Sequence, residues 1–273
     1  MLVPFTGPEA LDSAAFLQQG EATHNVMRNI ASAPCVTALQ NAEGTFIALQ
    51  NEGLNAWIWA GSACADWPVL TDELADRLQG VALPGITAEP EMVSRFIERY
   101  CPANGCRAQR NMPLVAYELP GEPIAPAGVP GERRKAVGTD ADLVARWFVA
   151  FDQECFGIQQ TPEGMREAAE KTIAEGGLWL WVVDDEPVSL ARAARRSTRH
   201  HRIGPVYTPP EARGKHYSQA LVAEVCGLIR QEGLMPLLYA DGNNPISNRV
   251  YQNIGFLQRG TLEEIKFIRE GSH

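Results

Sequence analysis

Three observations predict an α/β protein of two domains. Segments with apolar residues at helical spacing alternate with short runs rich in Val, Leu, Trp and Tyr, the patterns of helices and strands. Apolar residues make up 45% of the 273, enough to bury real cores. The stretch "LPGEPIAPAGVPGE" carries four prolines and three glycines, so it reads as a linker at 119–131 between a domain of 1–118 and one of 132–270.

In the first half, "GEATHNVMRNIAS" (20–32) and "TDELADRLQG" (71–80) read as helical. So does "EPEMVSRFIERY" (89–100), in which Met92, Phe96 and Tyr100 repeat at helical spacing. "TFIALQ" (45–50), "AWIWAG" (56–61) and "MPLVAYEL" (112–119) read as strands. This half carries no chemical motif, and His24, set among helical residues, reads as a packed or solvated side chain.

After the linker, "RRKAVGTDADLVARWFVAFDQECF" gives a short strand and then a helix, with Thr139 or Asp140 as N-cap and Leu143, Trp147 and Phe151 on one face. "LWLWVV" (178–183), the turn "DDEP" and "VSLARAARR" (188–196) make a strand pair, and "RIGPVYT" (202–208) a third strand. A helix from Tyr217 to Gln231 aligns Tyr217, Leu221, Val225 and Leu228, and Gly233 stops it. "PLLYA" (236–240) is a buried strand. Asn244 caps the helix "ISNRVYQNI", with Pro245 at its first position and Gly255 at its end. "FLQRGTLEEIKFI" returns as one or two strands, and the final "GSH" reads as an expression scar.

The net charge of −9 is uneven: residues 1–130 hold 14 Asp/Glu against 6 Lys/Arg, and residues 131–273 hold 19 against 18. An acidic half repels a phosphate backbone, which counts against nucleic acid as partner, and none is expected. Arg192, Arg195, Arg196, Arg199, Arg202, Arg213 and Lys215, by contrast, face one nearby acid in sequence, Glu211. Such a stretch would attract a compact polyphosphate or simply make a solvated strand face. The six cysteines make no C-x-x-C pair and no zinc pattern, so free thiols and no metal are expected. With no membrane-length apolar run and no leader-like start, the protein is expected in the cytoplasm, off the membrane.

The stretch "VYTPPEARGKHYSQALVAEV" (206–225) is a strand, a proline-stiffened loop and a helix. Helix starts offer unpaired N–H groups and the positive end of the helix dipole, and here Arg213 and Lys215 stand beside them. Neither G-x-x-x-x-G-K-[ST] nor G-x-G-x-x-G is present.

The order of elements, this corner and "NNPISNRVYQNIGF" together resemble the GNAT superfamily of acyl-CoA-dependent N-acetyltransferases, over residues 132–269. In that superfamily a [QR]-x-x-G-x-[GA] loop wraps the pyrophosphate of coenzyme A. Arg213 fits its first position and Ser218, with its small side chain, is matched to its last, whereas His216 takes a glycine position and is a departure. The phosphate contact survives that change if His216 keeps φ below zero. A second signature, N-x-x-[AS]-x-x-[LV]-Y-x-x-x-G-F, is met by Asn244, Ser247, Val250, Tyr251, Gly255 and Phe256. The wording of both stretches is similar to a two-domain group with a degenerate GNAT-like domain ahead of the working one.

The resemblance implies a mixed, mostly antiparallel sheet flanked by helices, and transfer of an acetyl group from acetyl-CoA to a small amine. It implies cofactor contacts from Val206, Tyr207, Thr208, Arg213, Gly214, Lys215, His216, Tyr217, Ser218, Asn244, Ser247, Asn248 and Tyr251, with Tyr251 as the acid that protonates the leaving thiolate. Plainer readings stand beside these: Gly214 as a turn, Asn244 as a cap, Tyr207 as core, Tyr251 as a core ring against Phe256. His200 and His201 read as solvent-facing and Asp241 as a turn former. Glu154 and Glu211 are candidate bases by position only. The rival readings are an acyl-CoA-binding regulatory protein without catalysis and a transferase using aminoacyl-tRNA, which the charge opposes. A cationic acceptor drawn by the acidic first half into a cleft between the domains completes the expectation.

Overall fold

The computed structural model describes residues 1–195 and 197–269, the side chain of Arg195 excepted. Arg196, the Arg195 side chain and the terminal "GSH" therefore lie outside the described residues. The chain divides into two compact units.

The first unit runs β1 (Leu2–Pro4), α1 (Glu21–His24), α2 (Val26–Ala31), β2 (Cys35–Asn41), β3 (Phe46–Asn51), β4 (Ala56–Ala60), α3 (Trp67–Arg77), β5 (Gly85–Ala88), α4 (Pro90–Asn104) and β6 (Cys106–Glu118). The later half of the chain runs β7 (Glu132–Lys135), α5 (Ala141–Phe156), α6 (Pro162–Ala174), β8 (Leu178–Val183), β9 (Glu186–Arg195), β10 (His200–Tyr207), α7 (Tyr217–Gln231), β11 (Met235–Asp241), α8 (Pro245–Ile254) and β12 (Leu257–Arg269). Both halves thus repeat one succession of strands and helices. In both, the fourth and fifth strands are parallel: β4 with β5, and β10 with β11.

The first unit's sheet has the order β1-β2-β3-β4-β5-β12-β6. Strict alternation along β3 and β4 explains its two covered faces. Phe46, Ala48 and Ile58 pack in one core with Leu70 and Leu74 of α3 and Phe96 of α4. Ile47, Leu49, Trp57 and Trp59 pack in the other with Phe16, Met27 and Ile30. Phe16 meets Trp59 edge-on at 5.0 Å, and truncating either ring to Ala would cost about 3–5 kcal/mol.

The chain's last strand belongs to this unit. β12 pairs antiparallel with β5, from Glu263↔Ala88 to Lys266↔Gly85, and its Leu262 and Ile265 are 1% exposed in the two cores. A second domain running unbroken from 132 to 270 is therefore corrected: Tyr239–Asn248 and the residues from Gln258 on join the first unit.

The second unit's sheet has the order β7-β8-β9-β10-β11. The "DDEP" turn is a two-residue hairpin with Asp184 at φ 50° and Asp185 at φ 67°, the doubly left-handed turn whose twist matches flanking strands. Leu178, Leu180, Leu190 and Tyr207 face Val144, Trp147 and Phe148 of α5 and Ala169 of α6. α7 runs from Tyr217 to Gln231, with Gly233 at φ 74° after it, as expected.

Candidate functional site

The strand β10 ends the site's scaffold. Its parallel register with β11 runs from His200↔Met235 to Ile203↔Leu238, whereas its antiparallel pairing to β9 continues to Tyr207↔Leu190. Tyr207 is buried beside Trp147, ring centroids 6.1 Å apart, so the core reading of Tyr207 holds. Ser189, fully buried on β9, donates from its hydroxyl to the Tyr207 carbonyl (3.0 Å) and lies 2.8 Å from Thr208 Oγ1. Val206, Tyr207 and Thr208 therefore end a strand whose final turn of backbone is pinned from one side.

The loop that follows is short and stiff. A 3₁₀ turn, Pro210–Ala212, holds Ala212 inside and leaves Glu211 exposed. Gly214 has φ 77° and His216 φ 61°. This corrects the expectation that His216 keeps φ below zero: the histidine adopts the left-handed backbone that a glycine takes freely. Its imidazole Nδ1 lies 3.1 Å from Gln219 Oε1, back along the first turn of α7. Among the described residues no side-chain hydrogen bond caps α7. Its first amide N–H groups and the dipole thus face the loop. Tyr217 is buried and Ser218 half-buried behind them.

Two cations flank this helix start. Lys215 is exposed, its Nζ 5.9 Å from the centre of the Tyr217 ring. Arg213 turns back instead: Nε donates to Thr208 O (2.9 Å) and the outer nitrogen to both Glu154 oxygens (2.6 and 2.9 Å). Both partners of that pair are close to half exposed, and such surface pairs contribute only about 0–1 kcal/mol, so a phosphate could compete for the guanidinium. Arg192 is likewise taken, by Glu175 at 2.6 Å. The basic stretch therefore meets acids that lie far from it in sequence.

Glu154, at the end of α5, also stands 3.4 Å from the Tyr207 hydroxyl. Burial, and then this carboxylate, push the Tyr207 phenol above its ordinary range. Glu211 makes no comparable approach among the described residues.

Tyr251 lies on α8, ring centroid 6.0 Å from that of Phe256. The ring is partly exposed, while the hydroxyl end sits among protein atoms. Burial pushes its phenol well above the usual range, and the neighbouring Cys155 thiol adds to the push. Cys155 and Ser189 were missed from sequence, because nothing local marks a thiol as the neighbour of Tyr251, 96 positions on, or a buried serine as the partner of Tyr207 and Thr208, 18 and 19 positions on.

Asn244, Ser247 and Asn248 belong to the first unit. Asn244 Oδ1 accepts from the Ser247 amide at 3.1 Å, the predicted cap of α8. Asn248 Nδ2 donates to the carbonyls of Asp241 (2.9 Å) and Asn244 (2.8 Å), and Asp241 Oδ1 accepts from the Asn243 amide, as a turn former does. These groups build the entry to α8.

Two further expectations change. His200 is 1% exposed, its Nε2 2.6 Å from Glu118, so it is a buried partner of a carboxylate and does not face solvent. The His201 side chain is mostly covered as well. Among the described residues no group of three or more His, Cys, Asp or Glu could hold a metal, and no helix is long and apolar enough to cross a membrane.

Comparisons with known proteins bear on the fold. Residues 142–256 match the model of a family described as Acetyltransferase (GNAT) family. Three solved structures share the fold over nearly the whole chain. A GCN5-related N-acetyltransferase from Sphaerobacter thermophilus has TM-score 0.61 and 18% identity, covering 99% of this chain and 96% of its own. An acetyltransferase from the GNAT family of Colwellia psychrerythraea has TM-score 0.57 and 10% identity, covering 98% and 100%. A GCN5-related N-acetyltransferase from Kribbella flavida has TM-score 0.55 and 19% identity, covering 98% and 98%. No curated protein matches the sequence. At such identities the structural likeness is one of fold.

Proposed function

We propose that this chain transfers an acetyl group from acetyl-CoA to the nitrogen of a small amine, a reading supported by the match of residues 142–256 to the model of the acetyltransferase (GNAT) family. The observation that carries the reading is the open start of α7. It offers uncapped N–H groups behind two left-handed residues, with Lys215 beside them and Arg213 held only by a surface ion pair. That donor set fits a pyrophosphate.

Acetyl-CoA supplies the acyl group already activated as a thioester. The chain supplies placement and protons. Val206, Tyr207 and Thr208 offer the strand end beyond the β10–β11 register as a backbone edge for the pantetheine arm. Gly214, Lys215, His216, Tyr217 and Ser218 present the phosphate corner, with Arg213 joining when it leaves Glu154. Tyr251 keeps its proton at neutral pH and is the donor for the departing thiolate. The amine attacks only in its neutral form, so it must lose a proton first. Glu154, whose carboxylate stands 3.4 Å from the Tyr207 hydroxyl, is the candidate to take it. Six cysteines, all free, are compatible with a reducing cytoplasm.

Calorimetric titration with acetyl-CoA and with a pantetheine thioester lacking the nucleotide tests the corner. Acetyl-CoA should bind at least ~10-fold tighter, the worth of one or two charge-assisted contacts. A thiol-release assay over an amine panel tests the reaction. Equal affinities for the two ligands would remove the phosphate corner. Tight binding with no turnover on any amine would favour a binding protein.

A further inference from the structure

The second unit also holds a cavity of about 680 Å³ that shares no residue with the phosphate corner. It lies at the other end of α7. Val225, Leu228 and Ile229, spaced as one helical face, form its apolar wall. Trp179 of β8 and Lys135 of β7 stand opposite, directly paired across the strands. Gly177 explains part of the space: a Cβ there would lie 2.1 Å from the Ala193 carbonyl oxygen, so the strands close without a side chain between them.

Among the charged groups around this cavity, Glu175 is held by Arg192 at 2.6 Å. Glu232 stands 3.9 Å from His201 Nδ1, an ion pair only when that imidazole is protonated. Arg133, whose guanidinium lies over the Trp179 ring at 5.1 Å, is held by Glu224 at 2.8 Å. Lys135 differs. Its ammonium lies 5.3 Å over the same indole, and among the described residues no carboxylate stands within ion-pair distance of it.

We propose that this cavity is a second ligand site, for a small organic anion: a carboxylate with an apolar or aromatic body. Its charge meets Lys135, and its body packs on Leu228 beside Trp179, which are partly exposed, over a floor closed by the buried Val225 and Ile229. The volume falls within the range of sites that enclose small molecules. Burial of the body against Leu228 and the indole stabilises it, and Lys135 favours a negative charge over a neutral group.

Phenylacetate, phenylacetamide and phenethylamine have similar bodies and differ in charge, so calorimetric titration of the full chain with each reads the selection directly. Phenylacetate should bind saturably and about tenfold tighter than the amide, the worth of one charge-assisted contact. Lys135→Gln should remove that difference and leave the amide unchanged, which also separates this site from anion binding at the corner. Ala194→Phe, on the cavity lining, should weaken both ligands and serves if Lys135→Gln does not fold. The proposal is overturned by phenylacetate binding no tighter than the amide, by tighter binding of phenethylamine, by indifference to both substitutions, or by no saturable binding of any of the three.

Discussion

Tyr251 and His216 show how much one residue's surroundings decide. The Tyr251 phenol starts from an ordinary value of 10.0 and is pushed higher by burial. A neutral acid raised in this way holds its proton at every pH below that value, so it contributes no alkaline limb to the rate there. Tyr251→Phe should therefore lower kcat ~10²–10⁴-fold with acetyl-CoA affinity unchanged. The pH profile of kcat should keep its shape below pH 10. A variant with near-normal kcat, measured where chemistry limits turnover, would pass the role to another group. His216 has a backbone conformation, φ 61°, that costs a side chain about 1–2 kcal/mol, against about 0.5–1 kcal/mol for the extra freedom of an unfolded glycine. His216→Gly should raise stability by about 0.5–1 kcal/mol in urea unfolding and leave CoA affinity equal or better. A marked loss of affinity would make the imidazole itself a ligand.

At the scale of elements, local chemistry was legible and long-range pairing was not. α7, the Asp184–Asp185 hairpin and the Asn244 cap follow from turn and cap residues within a few positions of each other. The same closeness made the loop and helix start over 206–218 readable, while the neighbours Glu154, Cys155 and Ser189 come from other elements. α6 has a clear start, with Thr161 Oγ1 accepting from the Gly164 amide and Pro162 at the first position. Yet it buries only Ala169 and Thr172, so it shows almost no apolar stripe. The helix expected over 20–32 divides at Asn25, because polar residues lie inside: Glu21, Thr23, His24 and Asn25 are all buried. That inverts the usual pattern. Glu21 is matched by Arg28 at 3.1 Å, and His24 Nε2 bonds the Ile58 carbonyl at 3.1 Å. Burial lowers the His24 pKa from 6.5, with Glu89 opposing. The folded protein then binds fewer protons than the unfolded chain, so this histidine's share of stability is present above pH 6.5 and is lost as pH falls from there toward the lowered folded value. Thermal unfolding between pH 7.5 and 5.5 should show a decline that is shallower in His24→Gln, by at most about 1.4 kcal/mol per pH unit. Parallel curves for the two proteins would mean that His24 is protonated equally in both states.

For the whole molecule, the placement of β12 governs what can be removed. Between β5 and β6 it fills an internal position of the first unit's sheet, and it supplies Leu262 and Ile265 to that unit's cores. A chain ended at Leu257 should therefore lose the first unit's fold and become protease-sensitive within residues 1–117, whereas Ile265→Ala in the full chain should cost about 2–5 kcal/mol. A truncated chain that resists protease there would show that β5 and β6 can close without it. The arrangement also sets a clock on synthesis. The first half leaves the ribosome with its sheet lacking one internal strand, and that strand follows only after the second unit has been translated. Until then the nascent chain carries unpaired strand edges of the kind that recruit other chains. Yield in the cell should thus depend on how quickly translation reaches β12 and on what shields the waiting half until then.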